Sequence, residues 1–321
     1  MAVVYITSET HSAGKTMFAA ALAEILNEFG KSVALLSSQI LNQKNCESDY
    51  CVFSRLQQLG VSVEESPTSS DSGAIAAVVN ANNRSDFVIV DGTSQVSSED
   101  LISIVESTDA RVVVVSDFAH GLSCSDFAKN FGTNLEGIVV NFLTSYGRTE
   151  AIEQLIPKFD QLGISVLGLL PEDRTLLSLT VDQVSKRLGG EFFAGSEYGN
   201  NLVVNFMVGA FGMDPGEYSF STKEKKAVIV RGDRPDVQMS ALGTDMECLI
   251  LTNGLEPIEY VKYESVEEEV SIVIVDSDTL QTMENIGSLQ HDALFDHVDK
   301  LESAKTIVSS CIDVPAFLES L

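Results

Sequence analysis

The first half of the chain alternates short, almost unbroken apolar runs with stretches of helical periodicity. A strand that is apolar on both faces has to be covered on both faces, as happens in parallel sheets flanked by helices. Apolar runs rich in Val and Ile lie at 2–7, 32–37, 86–91, 111–116, 135–140 and 164–169. Helical patterns lie between them, near 15–29, 52–59, 72–82, 98–107, 122–131 and 147–162. This alternation predicts an α/β protein with a doubly wound, mainly parallel sheet.

A second, smaller α/β pattern begins after a boundary at about 170–190. The boundary contains Pro171 and a helical pattern from Thr180 to Leu188, where a threonine hydroxyl can cap the first turn and two glycines follow the last. Beyond it, strands are expected near 203–208, 226–231, 247–252 and 271–275, and helices near 234–242, 277–289 and 294–302. We therefore expect two domains, one over residues 1–175 and a smaller one over 190–321.

The segment TSETHSAGKT, residues 7–16, directly follows the first predicted strand. Gly14, Lys15 and Thr16 match the end of the phosphate-binding pattern G-x-x-x-x-G-K-[ST], whereas Glu9 stands at its first glycine. Strand, loop, Gly-Lys-Thr and helix occur in the order that lets backbone N–H groups surround an anion at a helix N-terminus. An ordinary helix start with a Gly-Lys pair is the alternative, and the full context favours phosphate binding.

Each residue of this loop has a predicted role. Gly14 lets the backbone approach a phosphate, Lys15 contacts the outer phosphates as the candidate catalytic residue, and Thr16 offers its hydroxyl to Mg²⁺. The other residues predicted to contact the nucleotide are Thr10, His11, Ser12 and Ala13.

A second candidate metal ligand stands at the end of the third apolar run. The stretch DFVIVDGTS places Asp91 and Gly92 where a parallel strand would end. A carboxylate at that edge can hold Mg²⁺ directly or through water. A simple Asp-Gly turn is the alternative. Together with the loop, the pattern favours a metal ligand at Asp91.

Composition excludes several classes of protein. A net charge of −27 argues against binding to duplex nucleic acid, which requires a basic face. Five scattered cysteines without C-x-x-C, and four histidines without H-E-x-x-H, make a disulfide framework or zinc site improbable and fit a reducing cytoplasm. No apolar run is long enough to span a membrane, and the N-terminus reads as a strand, not a signal peptide. We expect a cytoplasmic protein.

Three segments of the first half resemble a known group. SETHSAGKT, FVIVDGTS and GIVVNFLTS are similar to the P-loop domain of dethiobiotin synthetase, cobyrinic acid amidase and the N-terminal part of long phosphate acetyltransferases. The loop of that group begins G-T-x-x-x-x-G-K-[ST], so its glycine falls on Ser8 and its threonine on Glu9. The resemblance implies ATP and Mg²⁺ as cofactors, Asp91 as the strand-end acid, and Asn141 as a residue that faces the adenine.

The chain departs from this group at two positions that serve synthetase chemistry. Ser37 stands where the group has a substrate-handling lysine after the second strand, and Thr10 replaces a loop acid that assists the metal. The resemblance therefore implies nucleotide binding more strongly than synthesis.

The second half resembles the DRTGG domain. LGLLPEDRTLLSLTVDQVSKRLGGE is similar to its entry segment, and VIVRGDRPDVQMSAL and CLILTNGLEP to its core. Asp233 and Arg234 occupy the Gly-Asp-Arg turn, and Thr252, Asn253 and Gly254 the Thr-Gly-Gly turn. In long phosphate acetyltransferases the same pair of domains precedes an acetyl-transfer domain, which is not found in this sequence, so acetyl transfer is not expected.

Three hypotheses for the function follow. The first is an ATP-binding regulatory protein with little or no turnover, and the second an ATP-dependent ligase or amide-forming enzyme. The third is a structural partner protein whose loop is empty. The resemblance of the second domain to a module of oligomeric enzymes also implies a homo-oligomer.

Three further sites have a structural alternative each. Arg234 could bind a small anion, although a plain turn is favoured. His120 with Asp117 could face a substrate, although a loop histidine without a role is favoured. His291 and His297 do not share a helix face well enough to ligate a metal. The polar segment 63–73 is expected to be a loop, and it could form a lid.

Overall fold

The structure is a computed structural model that describes residues 1–38, 49–64, 67, 71–92, 98–209, 216–289 and 293–321. It divides the chain into two compact units. The first contains Met1–Asp173 together with Phe295–Leu321, and the second contains Arg174–Leu294. Residues 65, 66 and 68–70 of the predicted lid at 63–73 lie outside the described residues, as does the candidate ligand His291.

The first unit is built on a six-stranded sheet in which every neighbouring pair is parallel. Its strand order is β2-β3-β1-β4-β5-β6. The strands are β1 (Ala2–Thr7), β2 (Val33–Ser37), β3 (Phe87–Asp91), β4 (Arg111–Asp117), β5 (Leu135–Leu143) and β6 (Val166–Pro171). The prediction of an α/β fold with a mainly parallel sheet is confirmed.

Helices cover both faces of this sheet. They are α1 (Lys15–Glu28), α2 (Asp49–Gln58), α3 (Ser72–Ala81), α4 (Ser98–Thr108) and α5 (Ser125–Lys129), followed by α6 (Arg148–Glu150), a π-helical turn at Ala151–Leu155 and α7 (Ile156–Gln161). Helix α1 buries most of its residues between Met17 and Leu26, because it packs both on the sheet and on a helix from the C-terminal part of the chain.

The last part of the chain, Phe295–Leu321, returns to the first unit. The expected second domain, over 190–321, had included this segment. Helix α13 (Val298–Cys311) packs on α1 and β6, and α14 (Val314–Ser320) follows it. Strand β6 lies at the edge of the sheet, and a side chain at Gly168 would collide with Ile312. An apolar edge strand has to be covered, and the chain covers it with a segment distant in sequence.

The second unit contains a smaller sheet of order β10-β11-β12-β13-β8. Four strands run parallel: β10 (Asn205–Val208), β11 (Lys226–Arg231), β12 (Cys248–Thr252) and β13 (Ser271–Ile274); β8 (Glu191–Ala194) is antiparallel to β13. A separate two-stranded pair joins β7 (Leu179–Thr180) to β9 (Leu202–Val203). The helices of this unit are α8 (Val181–Leu188), α9 (Gly216–Phe220), α10 (Pro235–Leu242), α11 (Glu259–Glu267) and α12 (Thr279–Leu289).

Several local predictions for the second unit are met. Thr180 caps α8 as predicted, within a reciprocal capping box with Gln183, and Gly189 follows in the left-handed conformation. Part of the acidic run forms the end of α11. Strand β8 was not predicted, because its four residues, Glu-Phe-Phe-Ala, do not alternate between apolar and polar. Within the described parts of the chain, no helix has the length and apolar character needed to cross a bilayer.

Candidate functional site

The loop between β1 and α1 lies at the centre of the first sheet. Strand β1 has β3 on one side and β4 on the other. The chain crosses from β1 to β2 in one direction and from β3 to β4 in the opposite direction, so the order of the strands reverses at β1. In open α/β sheets, ligands bind beyond the carboxyl ends of the strands at such a switch point. The carboxyl ends of β1, β3, β4 and β5 bring the predicted site residues Thr16, Asp91 and Asn141 to this edge.

Gly14 turns the chain into α1 in a conformation that only glycine adopts without strain. Its φ of 93° is left-handed, and it precedes the first helical residue, Lys15. A Cβ at this position would also collide with the amide nitrogen of Asn141. Gly14 has no side chain with which to cap the first turn of α1.

Asn141 ties the end of β5 to this loop. Its Nδ2 donates a hydrogen bond of 2.9 Å to the carbonyl oxygen of Ala13, and the residue is 3% exposed. In the structure this amide nitrogen holds the loop backbone, and the contact with the adenine that the resemblance implies stays a prediction. The next residue, Phe142, has a φ of 55°, and the pairing of β5 with β6 shifts register there. Such an irregularity re-aims the neighbouring side chain of a strand.

Ser8, at the position of the group's glycine, makes two hydrogen bonds within the loop. Its Oγ donates to the carbonyl oxygen of Thr10 at 2.6 Å and accepts from Nζ of Lys15 at 2.8 Å. The residue is 3% exposed. The ammonium group of Lys15 therefore lies across the loop. The sequence offered no signal for this contact, because it depends on how the loop closes on itself.

Thr16 and Asp91 meet at the other side of the loop. The Oγ1 of Thr16 donates to Oδ2 of Asp91 at 2.6 Å, across 75 positions of sequence. Asp91 is buried at the end of β3, in register with Ile6 of β1 and Ser37 of β2. A hydroxyl and a carboxylate this close form a hard oxygen pair of the type that Mg²⁺ prefers. The two residues fit a magnesium site.

Close packing fixes the backbone that carries this carboxylate. The N–H of Gly92 donates to the carbonyl oxygen of Ile6 at 2.8 Å, and a Cβ at Gly92 would collide with the ring of Tyr5. Burial raises the pKa of Tyr5 to about 12, which the Asp91 charge reinforces. Glycine at position 92 is therefore required by packing.

The other predicted loop contacts line the same segment. Thr10 is half-buried, His11 and Ser12 are exposed, and Ala13 is buried. Ser12 has a φ of 58°, so its backbone adopts the left-handed conformation. Two non-helical residues of positive φ, Ser12 and Gly14, let the loop curl, as backbone anion cradles do.

His120 and Asp117 lie beyond the end of β4. The Oδ1 of Asp117 accepts the N–H of Ala119 at 2.8 Å, so the carboxylate caps the short 3₁₀ turn 118–120. Nδ1 of His120 lies 3.8 Å from the other carboxylate oxygen, with the imidazole about half exposed. This geometry gives Asp117 a structural role at the helix start.

His297, considered with His291 as a metal ligand, accepts the N–H of Asp299 and caps α13.

The turn of the second unit that was considered for a small anion is internally neutralised. Arg231 forms a bidentate pair with Asp233 at 3.0 and 2.6 Å, and Arg234 forms another with Asp236 at 2.9 and 2.8 Å. The Asp236 hydrogen bond raises the pKa of Arg234. The buried amide of Gln238 holds the turn by donating to the carbonyl oxygens of residues 231 and 232. These contacts favour the structural turn over an anion site.

The Thr-Asn-Gly turn closes the next strand of the same sheet. Asn253 and Gly254 have φ values of 68° and 62°, and their N–H groups donate to the carbonyl oxygens of Ser277 and Val275. Thr252 contacts the hydroxyl of Thr279 at 3.1 Å. Two consecutive left-handed residues explain why glycine and asparagine occupy this turn.

Two family models match the chain. The model of the CobQ/CobB/MinD/ParA nucleotide binding domain matches residues 4–183, and the DRTGG domain matches residues 183–289. The two matches follow one another along the chain, with the join within α8.

One curated relative and two solved structures show how far the similarity extends. A phosphate acetyltransferase of Nitratidesulfovibrio vulgaris is 27% identical over 201 residues, which cover 59% of this chain and 28% of that enzyme. The septum site-determining protein MinD of Pyrococcus horikoshii, solved with Mg-ADP, is 17% identical over 55% of this chain and 83% of its own, with a TM-score of 0.38. The CBS and DRTGG domains of a Clostridium perfringens pyrophosphatase, solved with diadenosine tetraphosphate, are 16% identical over 49% of this chain and 74% of their own, with a TM-score of 0.32.

Proposed function

Because the chain belongs to the CobQ/CobB/MinD/ParA nucleotide-binding family, we propose that its first unit binds ATP with Mg²⁺ and that the chain acts as a regulatory nucleotide-binding protein. The observation that carries the proposal is the 2.6 Å contact of Thr16 Oγ1 with Asp91 Oδ2, directly beside Gly14 and Lys15. A nucleotide site needs a phosphate cradle and a metal ligand at one place, and this contact joins them.

The phosphates would bind at the start of α1. The N-cap residue Gly14 offers no side-chain cap, and a helix N-terminus favours an anion. Lys15 would exchange its contact with Ser8 for the outer phosphates. In a chain of net charge −27, this single ammonium group and the oriented amides have to supply the local attraction.

Magnesium would be held by the oxygens of Thr16 and Asp91. When bound, the ion would neutralise charge on the outer phosphates. The remaining side chains then have positioning roles: Asn141 holds the loop through Ala13, and Ser8 holds Lys15.

We expect Lys15→Ala to weaken the binding of ATP in the presence of Mg²⁺ by roughly 10- to 100-fold, the value of a hydrogen bond to a charged group. The matched control is Lys31→Ala, at an exposed lysine just beyond the opposite end of the same helix. Calorimetric titration of the full chain measures both affinities. No heat and no thermal shift with the wild-type chain would instead support a structural protein with an empty loop.

Turnover separates the regulatory protein from the ATP-dependent ligase of the dethiobiotin synthetase type. The intact Lys15, Thr16 and Asp91 favour catalysis, whereas Ser37 stands at the place of that group's substrate lysine, 3% exposed at the end of β2. We expect steady-state ATP hydrolysis at the level of the Lys15→Ala variant. Lys15-dependent hydrolysis well above that level would favour the ligase.

We also propose that the chain forms a homo-oligomer, supported by the match of its second half to the DRTGG domain. The mass of one chain is 34.6 kDa. Sedimentation should show a particle of at least twice that mass, and a monomer at every concentration would contradict the proposal.

A further inference from the structure

The proposed nucleotide would extend from the loop in one direction, and this step depends on the proposed function. A metal ion held by Thr16 and Asp91 would neutralise charge on the outer phosphates, so this pair marks the outer-phosphate end of the site. Asp91 belongs to β3, on one side of β1, and β4 and β5 lie on the other side. The nucleoside would therefore leave toward the ends of β4 and β5, where Asn141 already reaches the loop at 2.9 Å.

The turn that follows β5 presents an aromatic side chain on this side. Tyr146 is 98% exposed, the highest value among the large hydrophobic side chains that the structure describes. A ring exposed to this extent contributes almost nothing to the core of its own chain, because its apolar area remains in water. An exposed aromatic at a strand end beside a ligand loop can serve a ligand instead.

The backbone under this ring is fixed. The N–H of Gly147 donates to the carbonyl oxygen and to Oγ1 of Thr144, at 3.0 and 3.2 Å. The carbonyl oxygen of Gly147 accepts from Ala151 at 2.9 Å, and a Cβ at Gly147 would overlap the ring of Phe118. The turn is thus fastened to the loop after β4. Because the backbone is already fixed, binding has to order only the side-chain torsions of the ring, which limits the entropic cost.

We propose that Tyr146 is the stacking platform for the nucleobase. The face of its ring packs on the face of the base, while Gly14, Lys15 and Thr16 hold the phosphates. Every base has a π face, so this contact adds affinity for nucleotides over bare polyphosphates without selecting one base. The ligand class is a nucleoside polyphosphate.

The test compares ATP with inorganic tripolyphosphate, which has phosphates and no base, both with Mg²⁺. We expect Tyr146→Ala to weaken ATP by roughly tenfold, from the typical value of base–aromatic stacking, and to leave tripolyphosphate unchanged. Tyr146→Phe, which keeps the ring, should bind both as the wild type does. Unchanged ATP affinity in Tyr146→Ala overturns the proposal, as does an equal loss for both ligands, which would indicate a distorted loop.

A spectroscopic arm reads the contact directly. The chain contains no tryptophan, so Tyr146→Trp introduces a single indole reporter. ATP should quench this fluorescence and tripolyphosphate should not. The control is Tyr218→Trp in the second unit, at a side chain 82% exposed, which should respond to neither. Equal quenching by both ligands overturns the platform. A wild-type chain that binds neither ligand contradicts the proposed function itself.

Discussion

The Gly14→Ala variant should lose about 2–4 kcal/mol of unfolding free energy in the first unit and should no longer bind nucleotide. Two costs add at this residue. A φ of 93° is strained for any residue with a Cβ, and that Cβ would collide with the buried amide of Asn141. Asn141 cannot move away cheaply, because the same amide group donates to Ala13.

A glycine at the other end of α1 isolates the collision from the strain. Gly30 also has a left-handed φ, of 74°, and a Cβ there would meet nothing within 4 Å. Gly30→Ala should therefore cost only about 1–2 kcal/mol and keep nucleotide binding. Denaturant unfolding measures the stability of both variants, provided that the dependence of the unfolding free energy on denaturant concentration is the same as in the wild type. Equal losses in the two variants would show that Asn141 does not restrain the loop.

A buried lysine on the returning C-terminal helix should make stability depend on pH. Lys300 has a fully buried side chain on α13, with Nζ 3.9 Å from Oδ1 of Asp296. Burial lowers the pKa of Lys300 from 10.5 to about 8, and the Asp296 charge only partly opposes this. Between these two values the unfolded chain holds a proton that the folded chain has released. The contribution of Lys300 to the free energy of unfolding therefore rises with pH across this window, by up to about 3 kcal/mol.

The Lys300→Met variant should lack this rise. Burial raises the pKa of the thiols of Cys124 and Cys248, so above pH 9 these two groups lower the free energy of unfolding as the pH rises. The variant keeps both thiols, so the quantity to measure is the difference in unfolding free energy between wild type and variant. Unfolding at pH 7.5, 9 and 10.5 gives that difference. Lys129→Met, at a half-exposed lysine on the same unit, should keep the wild-type dependence. A difference that stays constant with pH would show that Lys300 titrates normally.

The outcome at the loop shows which parts of a site can be predicted from residue types. Gly14, Lys15 and Thr16 were chosen because their order after a strand suits a phosphate, and Asp91 because a carboxylate at a parallel strand end faces the same edge. Both choices depend on local pattern and on strand direction, and the structure brings Thr16 and Asp91 into contact at 2.6 Å. The contact itself joins residues 75 positions apart, and the sequence could only suggest it.

Two roles in the same loop could not be predicted. Ser8 stands where the resembling group has glycine, and its hydroxyl holds both Lys15 and the Thr10 carbonyl group. Asn141 is predicted to face the base, and the support that its amide nitrogen gives to the loop had no signal in the sequence. A side-chain hydrogen bond depends on distances of a few ångströms between segments, which periodicity and composition do not encode.

The chain's own sequence determined the α/β class, the parallel sheet, the second α/β unit and the place of the phosphate loop. These features arise from short-range patterns: apolar runs covered on both faces, helical periodicity and glycine at a left-handed turn. Tertiary structure alone decided that residues 295–321 return to cover β6 and that β8 closes the second sheet antiparallel. It also decided that Tyr146 stands exposed in the turn after β5. Such arrangements depend on which apolar surface remains uncovered after the local elements have packed, and that surface exists only in the folded chain.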